Sequence, residues 1–135
     1  MARAEARPAR PLSPHLSIFR PYINMVMSIV HRITGCINYV GSLILALWLA
    51  LAASGPAGYD TAAMILGSPL GLLVLFGLSW SLIHHACGGI RHFIWDTGAM
   101  LTKPSFRFLS WMTIVGSAVI TALVWAIGLL KWGVM

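Results

Sequence analysis

The run AAMILGSPLGLLVLFGLSWSLIHHACGGI, residues 62–90, holds no Asp, Glu, Lys or Arg and is far longer than a strand. A helix needs about 20 apolar residues to cross the roughly 30 Å hydrocarbon core of a bilayer. Two further stretches reach that length: Ile33–Ala53, with a polar lead-in from Asn24, and Phe108–Leu130. Spanning strands are excluded, because a barrel needs many short alternating segments closed on themselves. The expected fold is all-α, an integral membrane protein with three transmembrane helices at approximate spans 28–53, 62–92 and 106–131. Residues 1–27 form an N-terminal segment outside this 28–135 transmembrane domain. The segment SGPAGYDT, residues 54–61, reads as a turn between the first two spans. Thr97–Arg107 joins the second to the third, with Ser105 as the expected cap of the last helix.

Composition agrees with a lipid-embedded chain: of 135 residues 59% are hydrophobic and only 9% charged. The net charge of +6 does not point to nucleic acid, because the basic residues are scattered at the ends of apolar runs instead of clustered on a polar face. Four arginines precede the first span, Lys103 and Arg107 lie between the second and third, and residues 54–61 carry no basic residue. By the positive-inside rule the N-terminus is expected on the cytoplasmic side. Lys131 dissents, but at a helix end its stem can reach the opposite surface. Trp111 and Trp132, near the two ends of the third span, are expected as interface anchors. Cys36 and Cys87 sit inside apolar runs without CxxC spacing and read as unpaired small hydrophobes. The tail lacks the apolar core of a signal peptide, and Glu5, Pro8 and Pro11 break a basic amphipathic helix. A bacterial inner membrane is therefore expected ahead of a mitochondrial one.

Ionisable residues inside a span are costly and mark function by default. Here they are His31 and Arg32 on the first helix, and His84, His85, Arg91, His92 and Asp96 on the second. Antiparallel neighbours bring Arg32 and Arg91 to the same level. Ser81, His85, Gly88, Gly89, His92 and Asp96 recur at helical spacing and share a face. His85 lies roughly 9 Å deeper than Arg91 at 1.5 Å per residue, with no carboxylate in reach on its own helix. A neutral imidazole there suits haem iron, and Gly88 with Gly89 would leave room for a flat macrocycle. The competing reading is a histidine bonded to backbone carbonyls between helices. His84, rotated about 100°, should face a neighbouring helix or subunit. Ser28 and Arg32, four apart, aim a hydroxyl and a guanidinium the same way, which fits the carbonyl oxygens of a quinone. Equally, Arg32 snorkels and Ser28 bonds to its own helix. Gly41, Gly71, Gly77, Gly88, Gly89 and Gly116 suggest close helix contacts. A small transporter or channel subunit is the alternative class, but a proton relay would want an intramembrane carboxylate, and Asp96 stands at a helix end.

Two blocks, RPLSPHLSIFRPYINMVMSIVHRITG (10–35) and HACGGIRHFIWDTG (85–98), resemble the cytochrome b membrane-anchor subunits of succinate dehydrogenase. The resemblance implies that His85 is an axial ligand of haem b shared with a second small membrane-anchor subunit. It implies that Ser28 and Arg32 help form a ubiquinone site near the iron–sulfur subunit. His31, with Arg91 and His92 as weaker candidates, would lie near the haem propionates, and Asp96 would pair with Arg32. The flavoprotein and iron–sulfur subunits of such a complex would oxidise succinate, because this chain has neither a dinucleotide fingerprint nor a cysteine set and is not catalytic alone.

Overall fold

A computed structural model describes Pro11, His15 and residues 18–132. The described residues hold no strand. Four helices follow in order: α1 (Ile23–Ala53), α2 (Pro56–Leu66), α3 (Pro69–Asp96) and α4 (Lys103–Trp132). Three of them, α1, α3 and α4, are long and apolar enough to cross a membrane. Most of the N-terminal segment, and the side chain of Trp132 with its expected anchoring role, lie outside the described residues.

The second span departs from expectation. Residues 56–66 form a separate short helix, and the membrane helix begins only at Pro69. The break is chemical. Ser68 is extended and its Oγ accepts the Gly71 N–H at 3.1 Å, while Pro69 occupies the first helical turn, where a missing N–H costs nothing. Gly55 at φ 111° and Pro56 start α2 in the same manner, so the expected turn shrinks to Ser54 and Gly55. The last helix starts at Lys103, with Phe106 N–H donating to the Thr102 carbonyl at 2.9 Å. Its cap is thus Thr102, whose hydroxyl lies 2.8 Å from that of Ser105.

α3 is the central helix, packed on α1 along one side and on α4 along the other. The polarity of the bundle is inverted relative to a water-soluble domain. Among the described residues the buried ones include Thr34, Ser81, His84, Arg91, Ser110, Thr113, Ser117 and Thr121, against only Met27, Ala62 and Leu109 with hydrophobic side chains. Large aliphatic side chains such as Leu47, Leu73 and Leu123 face outward. In hydrocarbon, outward leucines cost nothing and small residues let helices approach closely. Ser110, Thr113, Ser117 and Thr121 form one stripe on α4, and three of them return a hydrogen bond to the carbonyls of Leu109, Ile114 and Ser117 on their own helix. Across helices, Ser110 donates to Asn24 Oδ1 at 2.8 Å and Trp125 Nε1 donates to Ser79 Oγ at 2.8 Å. The expected glycine contacts are realised at Gly41, against Leu78, at Gly71, against the Ile65 and Leu66 carbonyls, and at Gly88; a Cβ on Gly77, Gly89 or Gly116 would meet nothing within 4 Å.

Candidate functional site

The intramembrane histidines converge where α1 and α3 cross. His85, from α3, brings its Nδ1 to 3.1 Å from the His31 carbonyl oxygen and 3.2 Å from Thr34 Oγ1. The carbonyl has no hydrogen to give, so Nδ1 carries a hydrogen, and of the two neutral tautomers this contact selects the one whose lone pair is on Nε2. The Thr34 hydroxyl donates its own hydrogen to the same carbonyl at 2.9 Å, leaving its lone pairs to receive His85. Nε2 then carries a free lone pair. It makes no hydrogen bond and is not among the fully buried polar atoms, and His85 as a whole is half-buried. A ring nitrogen tied to a carbonyl, with the other left bare, is the arrangement that prepares imidazole for a metal. The two readings of His85 are therefore compatible: the carbonyl takes Nδ1, and Nε2 stays available.

His31 lies flat on His85, with ring centroids 3.9 Å apart and planes within 7°. Gly88 makes this possible, since a Cβ there would overlap the His31 ring. The space cleared at Gly88 is thus filled by His31 and not left for a macrocycle; the open glycine on α3 is Gly89. Gly35 from α1 closes on His85 Cε1, which would stand 3.2 Å from a Cβ. His92, exposed, completes the group at 5.3 Å from His31. One turn deeper than His85, Ser81 donates to Asn38 Oδ1 at 2.8 Å, tying α1 to α3. No cluster of three or more His, Cys, Asp or Glu that could hold a metal by itself occurs among the described residues.

Two expected placements change. Arg91 leaves the histidine group. It is buried on the opposite seam, where it meets Leu109, Met112 and Thr113 of α4 and lies 5.1 Å above the Trp95 ring. Six residues from His85, it is turned by about 120° around α3. Among the described residues Arg32 and Asp96 form no ion pair, because Arg32 points outward from α1 and Asp96 is exposed at the end of α3. His84 faces α4, as its rotation required, with Nδ1 3.0 Å from Ser117 Oγ and the Trp80 ring tilted against it at 5.1 Å.

Ser28 and Arg32 line one open cleft of about 410 Å³ with Asn24, Met25 and Ile29. Ser28 makes no bond back to its own helix among the described residues, so both donors are free. Sequence reasoning missed the partners that fix the histidines, Thr34 for His85 and Ser117 for His84. The signal was present: Thr34 and Asn38 continue the α1 stripe of His31 at spacings of three and four, and the α4 hydroxyls repeat likewise.

Fold and site together define an all-helical membrane protein with histidines gathered at a helix seam. The family described as the succinate dehydrogenase/fumarate reductase transmembrane subunit matches residues 6–124. The succinate dehydrogenase cytochrome b556 subunit of Rickettsia prowazekii is 37% identical over 119 residues, covering 86% of this chain and 90% of that one. That of Paracoccus denitrificans is 35% identical over 114 residues, covering 84% and 88%. The mitochondrial cytochrome b560 subunit of Sus scrofa is 38% identical over 100 residues, covering 70% and 57%. The chain belongs to the transmembrane subunits of succinate dehydrogenase and fumarate reductase.

Proposed function

We propose that this chain anchors a succinate:ubiquinone oxidoreductase in a bacterial inner membrane, holds haem b jointly with a second small membrane subunit, and contributes to the site of ubiquinone reduction. One observation carries the haem reading: His85 Nδ1 is committed to the His31 carbonyl while Nε2 makes no hydrogen bond. One such ligand from this chain would leave the rest of the site to a second chain. Haem b supplies one-electron storage when bound; this chain supplies position and electrostatics. His85 would hold the iron, Thr34 and the His31 carbonyl would fix the ring's tautomer and angle, and the His31 and His92 rings would border the edge of the group toward the basic end.

The quinone reading rests on the open cleft at that end. Ser28 and Arg32 offer one neutral and one charged donor beside Met25 and Ile29, which suits an uncharged ring with two carbonyl oxygens. Arg32 polarises the carbonyl and stabilises negative charge arriving on its oxygen, and Ser28 orients the same atom. Electrons would come from an iron–sulfur subunit docked on the basic end, fed by a flavoprotein. Haem content per complex after His85→Ala tests the proposal: its loss is expected, and undiminished haem would contradict it.

A further inference from the structure

Arg91 is 3% exposed, yet its Nε and Nη1 have no hydrogen-bond partner. A buried guanidinium left unpaired costs several kcal/mol, so such groups normally meet an anion. None is supplied among the described residues: the single carboxylate on α3 is Asp96, which is exposed at the helix end. Beside the guanidinium is a pocket of about 180 Å³ between α3 and α4, walled by Ile90, Ile94, Leu109, Met112 and Thr113. Ile90 and Met112 are exposed on its rim, at 58% and 52%, so the pocket opens on the apolar outer surface of the bundle.

Depth identifies the anion's source. Arg91 is five residues from the end of α3, roughly 7 Å along the axis, where headgroups give way to acyl chains. At the same end stand Arg20, Arg32, Lys103 and Arg107 against Asp96 alone among the described residues, a surface that gathers anionic lipid. The seam also lies about 120° around α3 from His85, away from the face proposed for haem. We propose that the Arg91 pocket binds the phosphate of an anionic membrane phospholipid, whose acyl chain runs down the α3–α4 seam over Ile90 and Met112. This holds whether or not His85 binds haem.

The test is native mass spectrometry of the purified, delipidated complex, titrated with palmitoyl-oleoyl phosphatidylglycerol or with inorganic phosphate. Arg91→Gln should weaken the tightest phosphatidylglycerol site by about tenfold or more, the scale of a lost charged hydrogen bond. Met112→Glu keeps Arg91 but offers it a carboxylate from α4; it should abolish the same site while the complex stays assembled, and it decides the matter if Arg91→Gln fails to assemble. Equal lipid affinity in wild type and variants overturns the proposal. Displacement of the lipid by stoichiometric inorganic phosphate overturns its lipid source. Release of a protein subunit from Arg91→Gln, with lipid retained, would assign the pocket to a partner's carboxylate instead.

Discussion

The His31 carbonyl oxygen accepts from His85 Nδ1 at 3.1 Å while the His31 ring lies 3.9 Å from the His85 ring, so one residue of α1 fixes both the tautomer and the plane of the α3 imidazole. Backbone and side chain of a single residue thus act on the proposed iron ligand. Neither effect requires a charge in the membrane.

Thr34 supplies the second acceptor for His85 Nδ1, at 3.2 Å. Thr34→Val keeps the shape, removes the hydroxyl and leaves the His31 carbonyl in place. The expected outcome is a haem that still binds but is lost more readily, by about 10- to 100-fold in affinity, the range for outer partners of a metal ligand. Haem retention during detergent washing of the complex measures it, and retention equal to wild type would remove Thr34 from the site.

Gly88 and Gly89 separate a structural need from an open surface. Gly88→Ala drives a methyl into the His31 ring and should destabilise the complex by about 1–3 kcal/mol, the usual cost of overpacking. Gly89→Ala should be nearly silent, since nothing lies within 4 Å of its added Cβ. Thermal unfolding of the two variants, read side by side, checks the contrast.

Ser28 and Arg32 share one cleft and have no protein partner among the described residues, so their removal should be felt by the quinone and little by the fold. Ser28→Ala and Arg32→Leu should both lower quinone reductase activity, Arg32→Leu more, because a hydrogen bond to a charged group is worth about 1.5–3 kcal/mol against about 1 for a neutral pair. Electron transfer from succinate to a soluble artificial acceptor should survive in both. If the two activities fall together, Arg32 supports assembly and the quinone role fails.

From the distribution of basic residues, Ser54 and Thr102 are expected on opposite sides of the membrane, Ser54 outside. In a background with Cys36 and Cys87 replaced by Ala, an impermeant thiol reagent added to intact cells should modify Ser54→Cys alone. Modification of Thr102→Cys alone would invert the orientation.

The three spans were legible because long uncharged runs such as Leu70–Ile90 have few physical alternatives. The break at Ser68–Pro69 was legible too, as a serine cap followed by proline, but inside so apolar a run the hydropathy outweighed it. The rotation of His84 away from His85 followed from helical geometry. What spacing along α3 leaves open is which facing helix fills each gap: Gly88 was open space in the sequence and is occupied by His31 in the fold. Arg91 and Arg32 do not share a seam, since antiparallel order says nothing of rotation.

The central claim, that His85 and not its neighbour His84 holds iron, is tested most directly by reduced-minus-oxidised spectra of the purified complex carrying His85→Ala or His84→Ala. His84 is bonded to Ser117 in the α3–α4 interior, whereas His85 keeps Nε2 bare on the α1–α3 seam. The b-type absorption bands should vanish or shift strongly in His85→Ala and persist in His84→Ala. Intact bands in His85→Ala would contradict the account.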